Sequence, residues 1–308
     1  MFMRGGVLFI AVLSLAACGT NLQLGDVKVD EVTGAVVLHN GFALNGTVFN
    51  GTVFNGKTLN GIEFTGAQLS GDGLSNVTLS QTVFTANTPT GMITGTQLAG
   101  ARFTGYVSDN GTINLRIDQV TSGPSPNSDL LQYAVSYDTP TGWRPLCGLD
   151  ANSQAIPAWP VVGYFNEADG SYASDTSKFQ FVCRGGAIAK CLEFGYRPWR
   201  ALQNSAGTFE STWVACTRMV RADYCGDGTA HTTDGVLIDV ADQDGLLVPA
   251  TSWGVEAEWT SSGAVCVTEG EDTRWADNGL TEPSCWSNLR QSDCGASMSD
   301  SLILDRYQ

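Results

Sequence analysis

Asp223, Asp227, His231 and Asp234 gather three carboxylates and an imidazole within twelve positions of this 308-residue chain. Imidazole is the side chain whose ordinary pKa lies closest to neutrality, and paired carboxylic acids are the working part of most glycoside hydrolysis. One reading is therefore a secreted hydrolase using Asp223, Asp227 and His231, with Asp234 as a fourth member of the set. Against it, Gly226-Asp227-Gly228 is turn chemistry and Asp223 stands where a helix should end, so both carboxylates can bond backbone amides instead. The chain has two histidines, and His39 lies far upstream in a strand or cap, which makes a triad hard to build. A non-enzymatic binding or structural role is the expected one, with no cofactor. Asp239-Val-Ala-Asp242-Gln-Asp244-Gly245 looks like a calcium loop but lacks the required ligand spacing and the final Glu, so it reads as a turn. Arg218 and Arg221, three apart, could hold an anion, but read as a solvated face.

Two helical segments must carry this cluster. Over 185–194, Ala187, Ile188, Cys191 and Leu192 fall on one face, and Gly195 followed by Pro198 ends the pattern. A second segment starts at Ser211, a residue type suited to an N-cap, puts Trp213, Cys216 and Val220 on one face and ends near Asp223. Joined by a loop of about fifteen residues, the two are expected to pack antiparallel as a helix hairpin. Ahead of them, 112–120 and 130–137 alternate apolar and polar residues around a Ser-Gly-Pro-Ser-Pro-Asn turn, which predicts paired strands. Trp199, Trp213, Trp253, Trp259, Trp275 and Trp286 crowd this region and read as core; exposed, they would stack on sugar rings or grip a partner.

Eight cysteines, at 147, 183, 191, 216, 225, 266, 285 and 294, share this half of the chain. In an exported protein an even set reads as a disulfide framework, which leaves no thiol as a nucleophile. The close thiol pairs of a zinc site are missing, so no metal is expected. Antiparallel helices predict Cys191–Cys216 and Cys183–Cys225; Cys285–Cys294 and Cys147–Cys266 are then left, although spacing alone leaves connectivity open.

The N-terminus supplies the reason to expect export. Arg4 precedes an apolar run from Val7 to Ala17, the order of a secretory signal, and the run is shorter than the roughly 20 residues a membrane-spanning helix needs. It ends in Leu15-Ala16-Ala17-Cys18-Gly19, which resembles the lipobox of bacterial lipoproteins. The resemblance implies cleavage after residue 17 and acylation of Cys18, so that the lipid bilayer is the first expected partner. Gly19, in place of Asp, is compatible with sorting to an outer membrane, facing the periplasm or the cell surface. With 31 acidic against 16 basic residues and a net charge of −15, the chain repels phosphate backbones, and nucleic acid is not an expected partner.

Leu44, Phe49, Phe54, Leu59, Phe64, Leu69, Leu74, Leu79 and Phe84 recur every five residues, Gly follows the first six by two places, and the register returns at Ile93, Leu98 and Phe103. The pattern resembles pentapeptide-repeat proteins and implies a short right-handed β-helix over 41–105, serving as a spacer that lifts the rest away from the bilayer. Finally, Ala222-Asp223-Tyr224-Cys225, with Trp143-Arg-Pro-Leu-Cys147, Gly185-Gly-Ala-Ile-Ala-Lys-Cys191 and Gly195-Tyr-Arg-Pro-Trp199, resembles the ADYC-type domain of exported myxobacterial proteins over roughly 143–307. That resemblance implies compartment and fold and brings no activity. The expected architecture is β-rich and α+β: a signal peptide (1–17), an anchor and linker (18–40), the pentapeptide-type β-helix (41–105), and a disulfide-rich α+β domain with a helix hairpin (106–308). An envelope protein or a glycan is the expected ligand.

Overall fold

A computed structural model describes residues 28–29, 36–39, 62–106, 111–203, 206–249, 251–268, 273–291, 294–296 and 298–307. The first large sheet runs, in spatial order, Phe179–Cys183, Ala158–Val162, Leu131–Tyr137, Thr112–Ser122, Arg102–Tyr106, Glu63–Leu69 and Asp72–Gly73, with Arg144–Pro145 paired to Leu131–Tyr137. The second takes Lys28–Val29, Val36–His39, Leu237–Asp242, Ile303–Tyr307, Gly254–Thr260, Gly263–Thr268 and Arg290–Gln291. Strand alternation sorts the first sheet's side chains between two cores. Phe179 and Phe181 point into an aromatic cluster with Phe84, Phe103 and Tyr133, while Trp159, Val161 and Val182 join the helices and the second sheet in another.

The five-residue repeat does not close into a β-helix among the described residues. Glu63–Leu69 pairs antiparallel with Asp72–Gly73 and Arg102–Tyr106, and Ser75–Ser80, Val83–Thr88 and Gly91–Thr94 form a separate antiparallel meander. The polar and Gly positions of the repeat become reversals instead of corners: Ser70 and Gly71 take φ of 54° and 93°, and Gln81 takes 57°. Left-handed backbone at such tips turns a strand back on itself, whereas a β-helix corner would send it on to the next side. The repeat's large residues still seek burial, and Phe84 packs edge-on against Tyr133 (5.5 Å) and Phe179 (5.3 Å). Leu44, Phe49, Phe54 and Leu59 lie outside the described residues. The first sheet draws strands from both sides of residue 106.

The stretch expected as linker also contributes strands. Val36–His39 pairs antiparallel with Leu237–Asp242, His39 opposite Leu237, and Lys28–Val29 pairs with Val36–His39 at the edge of the sheet. The segment just after the expected anchor is thus built into the same sheet as the C-terminal strand.

Helix α1 (Ala187–Glu193) buries Ala187, Ile188, Cys191 and Leu192 completely, and Gly195 at φ 102° follows its end. Helix α2 (Glu210–Arg221) begins after Phe209 rather than at a Ser211 cap. The helices do not form the expected antiparallel hairpin. Trp213 Nε1 donates to Ile188 O at 3.1 Å and Cys191 is bonded to Cys216; both contacts span 25 residues, so the axes advance in the same sense. The connection 194–209 is long enough to retrace α1, which is only about 10 Å long.

That geometry explains the disulfides. Cys191–Cys216 forms with a Cα separation of 5.8 Å. With parallel axes, the start of α1 is remote from the end of α2, and the expected Cys183–Cys225 gives way to Cys147–Cys183 and Cys225–Cys285. Cys147 and Cys183 border the same aromatic core, while the Tyr224 ring lies edge-on to Trp286, which brings Cys225 to Cys285. Cys266–Cys294 replaces the expected Cys147–Cys266 and Cys285–Cys294, because Gly263–Thr268 pairs in parallel with Arg290–Gln291. Replacing Cys191 and Cys216 together by alanine is expected to lower unfolding free energy by about 2–4 kcal/mol, read as a lower urea midpoint; an unchanged midpoint would contradict this.

Candidate functional site

The tetrad at 222–225 is where α2 ends and three segments meet. Ala222 adopts left-handed backbone (φ 51°, ψ 43°) as the C-cap, a conformation that costs an L-residue about 1–2 kcal/mol. The reversal turns Asp223 back toward α2, where it is fully buried and ion-paired with Arg218. Its carboxylate also accepts the backbone N–H groups of Asp227 and Gly228 at 3.1 Å. Arg218 donates further to Asp169 O at 2.6 Å and Ser261 O at 3.4 Å, so one ion pair ties α2, its exit turn and two loops. Burial raises the Asp223 pKa, with Arg218 opposing. Arg221 donates to Gly228 O at 2.5 Å, and both arginines are buried rather than on the solvated face expected.

Tyr224 is also fully buried. Its hydroxyl donates to Glu256 Oε1 at 2.5 Å, and its ring stacks on Trp259 at 5.1 Å. Glu256 accepts the Arg274 amide at 2.8 Å and Arg274 Nε at 2.6 Å. Arg274 Nη1 donates to Met219 O at 2.8 Å, and Nη2 stands 2.8 Å from Asp305 Oδ2 as an ion-pair contact rather than an aligned hydrogen bond. Asp305 in turn accepts Trp259 Nε1 at 2.7 Å. Burial pushes the Asp305 carboxyl well above its ordinary pKa. Burial also opposes ionisation of Glu256, but Arg274 and the hydrogen bonds from Asp305 and Tyr224 overcome it and hold Glu256 below its ordinary value. The cluster therefore sets one guanidinium between two carboxyl groups, of which Glu256 ionises the more readily.

Of the four residues that suggested catalysis, Asp223, Asp227 and His231 come within electrostatic reach of one another through Asp227, but their side chains face different partners. Asp227 is exposed and accepts the Thr229 N–H of its own turn at 2.9 Å. His231 is buried against the Tyr224 ring at 6.0 Å, and burial lowers its pKa, with Asp227 opposing. Asp234 acts electrostatically on Lys190 of α1, a group Asp223 does not face. Asp239 and Asp242 accept the amides of Thr251 and Leu247, but both stand in the strand Leu237–Asp242, so only the 243–245 end of the stretch is the turn expected. Trp213 and Trp259 are fully buried and Trp286 nearly so, with Trp199 and Trp275 packed beside them.

Glu256 and Arg274 were not legible as a pair. Val255-Glu256-Ala257-Glu258-Trp259 alternates like a strand with one wet face, yet α2 and the loops cover that face as well, and both glutamates are buried. An open concavity lies elsewhere, on the first sheet: a cleft of about 520 Å³ lined by Gln68, Arg102, Asn114, Asp138 and Trp143 among others.

Four disulfides indicate an oxidising, extracytoplasmic environment, and among the described residues no helix is long and apolar enough to cross a membrane. A family model described as the ADYC domain matches residues 95–273. The match opens at the short 3-10 turn 95–98, just ahead of the Arg102–Tyr106 strand and well before the motifs that suggested it. No curated protein and no solved structure matches the chain.

Proposed function

We propose that this chain, which belongs to the ADYC domain family, is a lipid-anchored protein of the bacterial envelope that works by binding, its 222–225 turn serving to hold the domain together. The carrying observation is that Asp223 and Tyr224 are committed to Arg218 and Glu256 inside the protein, with both side chains fully buried. A carboxylate engaged by a guanidinium and two amides is poorly placed to move protons to and from a substrate. The sequence around Cys18 supports acylation, Gly19 supports an outer-membrane location, and the disulfide framework supports the compartment. An envelope protein or a glycan is the partner class this reading carries.

The experiment is Cys18→Ser with cell fractionation and intact-mass measurement. The natural protein is expected in the membrane fraction with the added mass of acyl chains, and the variant in the soluble fraction. A variant that stays with the membrane would overturn the anchor.

A further inference from the structure

The cleft on the first sheet has the character of a built site. Ser136 Oγ donates to Asp118 Oδ2 at 2.5 Å, Asp118 Oδ1 holds Arg116 Nε at 2.5 Å, and the Arg116 guanidinium rests 4.7 Å from the Trp143 ring centre. This relay from two paired strands braces the indole at the cleft wall, and such rigidity lowers the ordering cost of binding. Arg102 stands 5.7 Å from the same ring and, among the described residues, has no carboxylate partner. Thr104 donates to Asn114 Oδ1 at 2.8 Å, which orients that amide and leaves its nitrogen as a donor. The side chains of Gln68 and Asp138 make no hydrogen bond among the described residues, although both line the cleft. Gly66 and Gly73 leave the floor as bare backbone, and a Cβ at either would meet nothing within 4 Å.

We propose that this cleft binds a saccharide bearing a carboxylate, with Arg102 taking the carboxylate, Trp143 facing the ring, and Gln68, Asn114 and Asp138 engaging hydroxyls. The chemistry follows from what lines the cleft. One braced aromatic and several amide and acid groups suit a flat, hydroxyl-rich ring, whereas a peptide side chain would need an apolar pocket. In a chain of net charge −15 a guanidinium that lies over an indole and has no carboxylate partner among the described residues is a local exception, and it selects an isolated carboxylate rather than a polyanion. The proposal rests on the binding reading above and specifies its ligand.

Calorimetric titration of the full mature chain in detergent tests it, with galacturonate, an N-acetylmuramyl disaccharide and neutral chitotriose as probes. At least one acidic probe is expected to bind more tightly than the neutral one, and which acidic probe binds tells a uronate source from a cell-wall one. Arg102→Gln should weaken the acidic probe about 10- to 100-fold and leave the neutral one unchanged. Gly66→Phe, which fills open space without touching the core, should abolish binding with circular dichroism unaltered. No binding of either acidic probe at millimolar concentration overturns the proposal, and so does binding that survives Gly66→Phe. Neither result touches the anchor, which stands or falls separately on Cys18→Ser.

Discussion

Arg274→Met is expected to lower the unfolding free energy by about 3–5 kcal/mol, because it leaves the buried Glu256 carboxylate without a counter-charge. The side chain is fully buried, contacts two carboxyl groups and also satisfies the Met219 carbonyl at the end of α2. Methionine fills similar volume, so the loss reflects charge rather than a cavity. Adding Glu256→Gln to the same chain should recover a large part of the loss, since the uncompensated charge disappears while Tyr224 and the Arg274-position amide keep an oxygen to donate to. Urea unfolding of the two single variants and the double variant closes the cycle. Strictly additive effects would show that Arg274 and Glu256 are not a coupled pair.

The second large effect is a rise of stability with pH. Lys190 lies in α1, its Nζ buried without a hydrogen-bond partner among the described residues. Burial pulls its pKa down to about 8, with Asp234 and Glu193 opposing. In the unfolded chain the amine keeps its proton to about pH 10.4. Between these values the unfolded state binds more protons, so stability increases as pH rises through 8 and levels off near 10. The gain is about 3 kcal/mol at 1.36 kcal/mol per pKa unit. Tyr133 titrates later when folded, at about 12, so the tyrosine limb turns stability down only above pH 10. Unfolding curves at steps from pH 7 to 10 check this. Lys190→Met should be more stable than the natural chain at pH 7 and nearly flat over that range; an equal slope in both proteins would contradict the assignment.

The local patterns were readable, and the way they combine was not. The face of α1, its glycine stop and the alternation in the two strands on either side of the proline turn are short-range signals, and the chain follows them. The sense in which α1 and α2 pack depends on the route of 194–209, which no periodicity encodes, and the disulfide pairing depended on it in turn. The five-residue repeat misled for a related reason. Gly and polar residues at fixed intervals permit either a corner or a hairpin tip, and the aromatic core of Tyr133, Phe179 and Phe181 decides between them from far along the sequence. The tetrad at 222–225 was recognisable as a motif, but its partners Glu256, Arg274 and Asp305 lie 32 to 81 positions beyond Tyr224, on separate elements.

The strand pair Lys28–Val29 and Val36–His39 bears on how far this protein reaches. With lipid on Cys18 as proposed, nine residues lie between it and Lys28, the first described residue of the second sheet. Fully drawn out, that leash spans about 35 Å. The folded body then patrols a thin layer next to the headgroups rather than standing off on a stalk. Any tug on the lipid is delivered through the register His39–Leu237 to the strand next to the C-terminal one. Extending the leash with a flexible insert before Lys28 would widen that layer without altering the fold, separating what the protein can hold from where it can hold it.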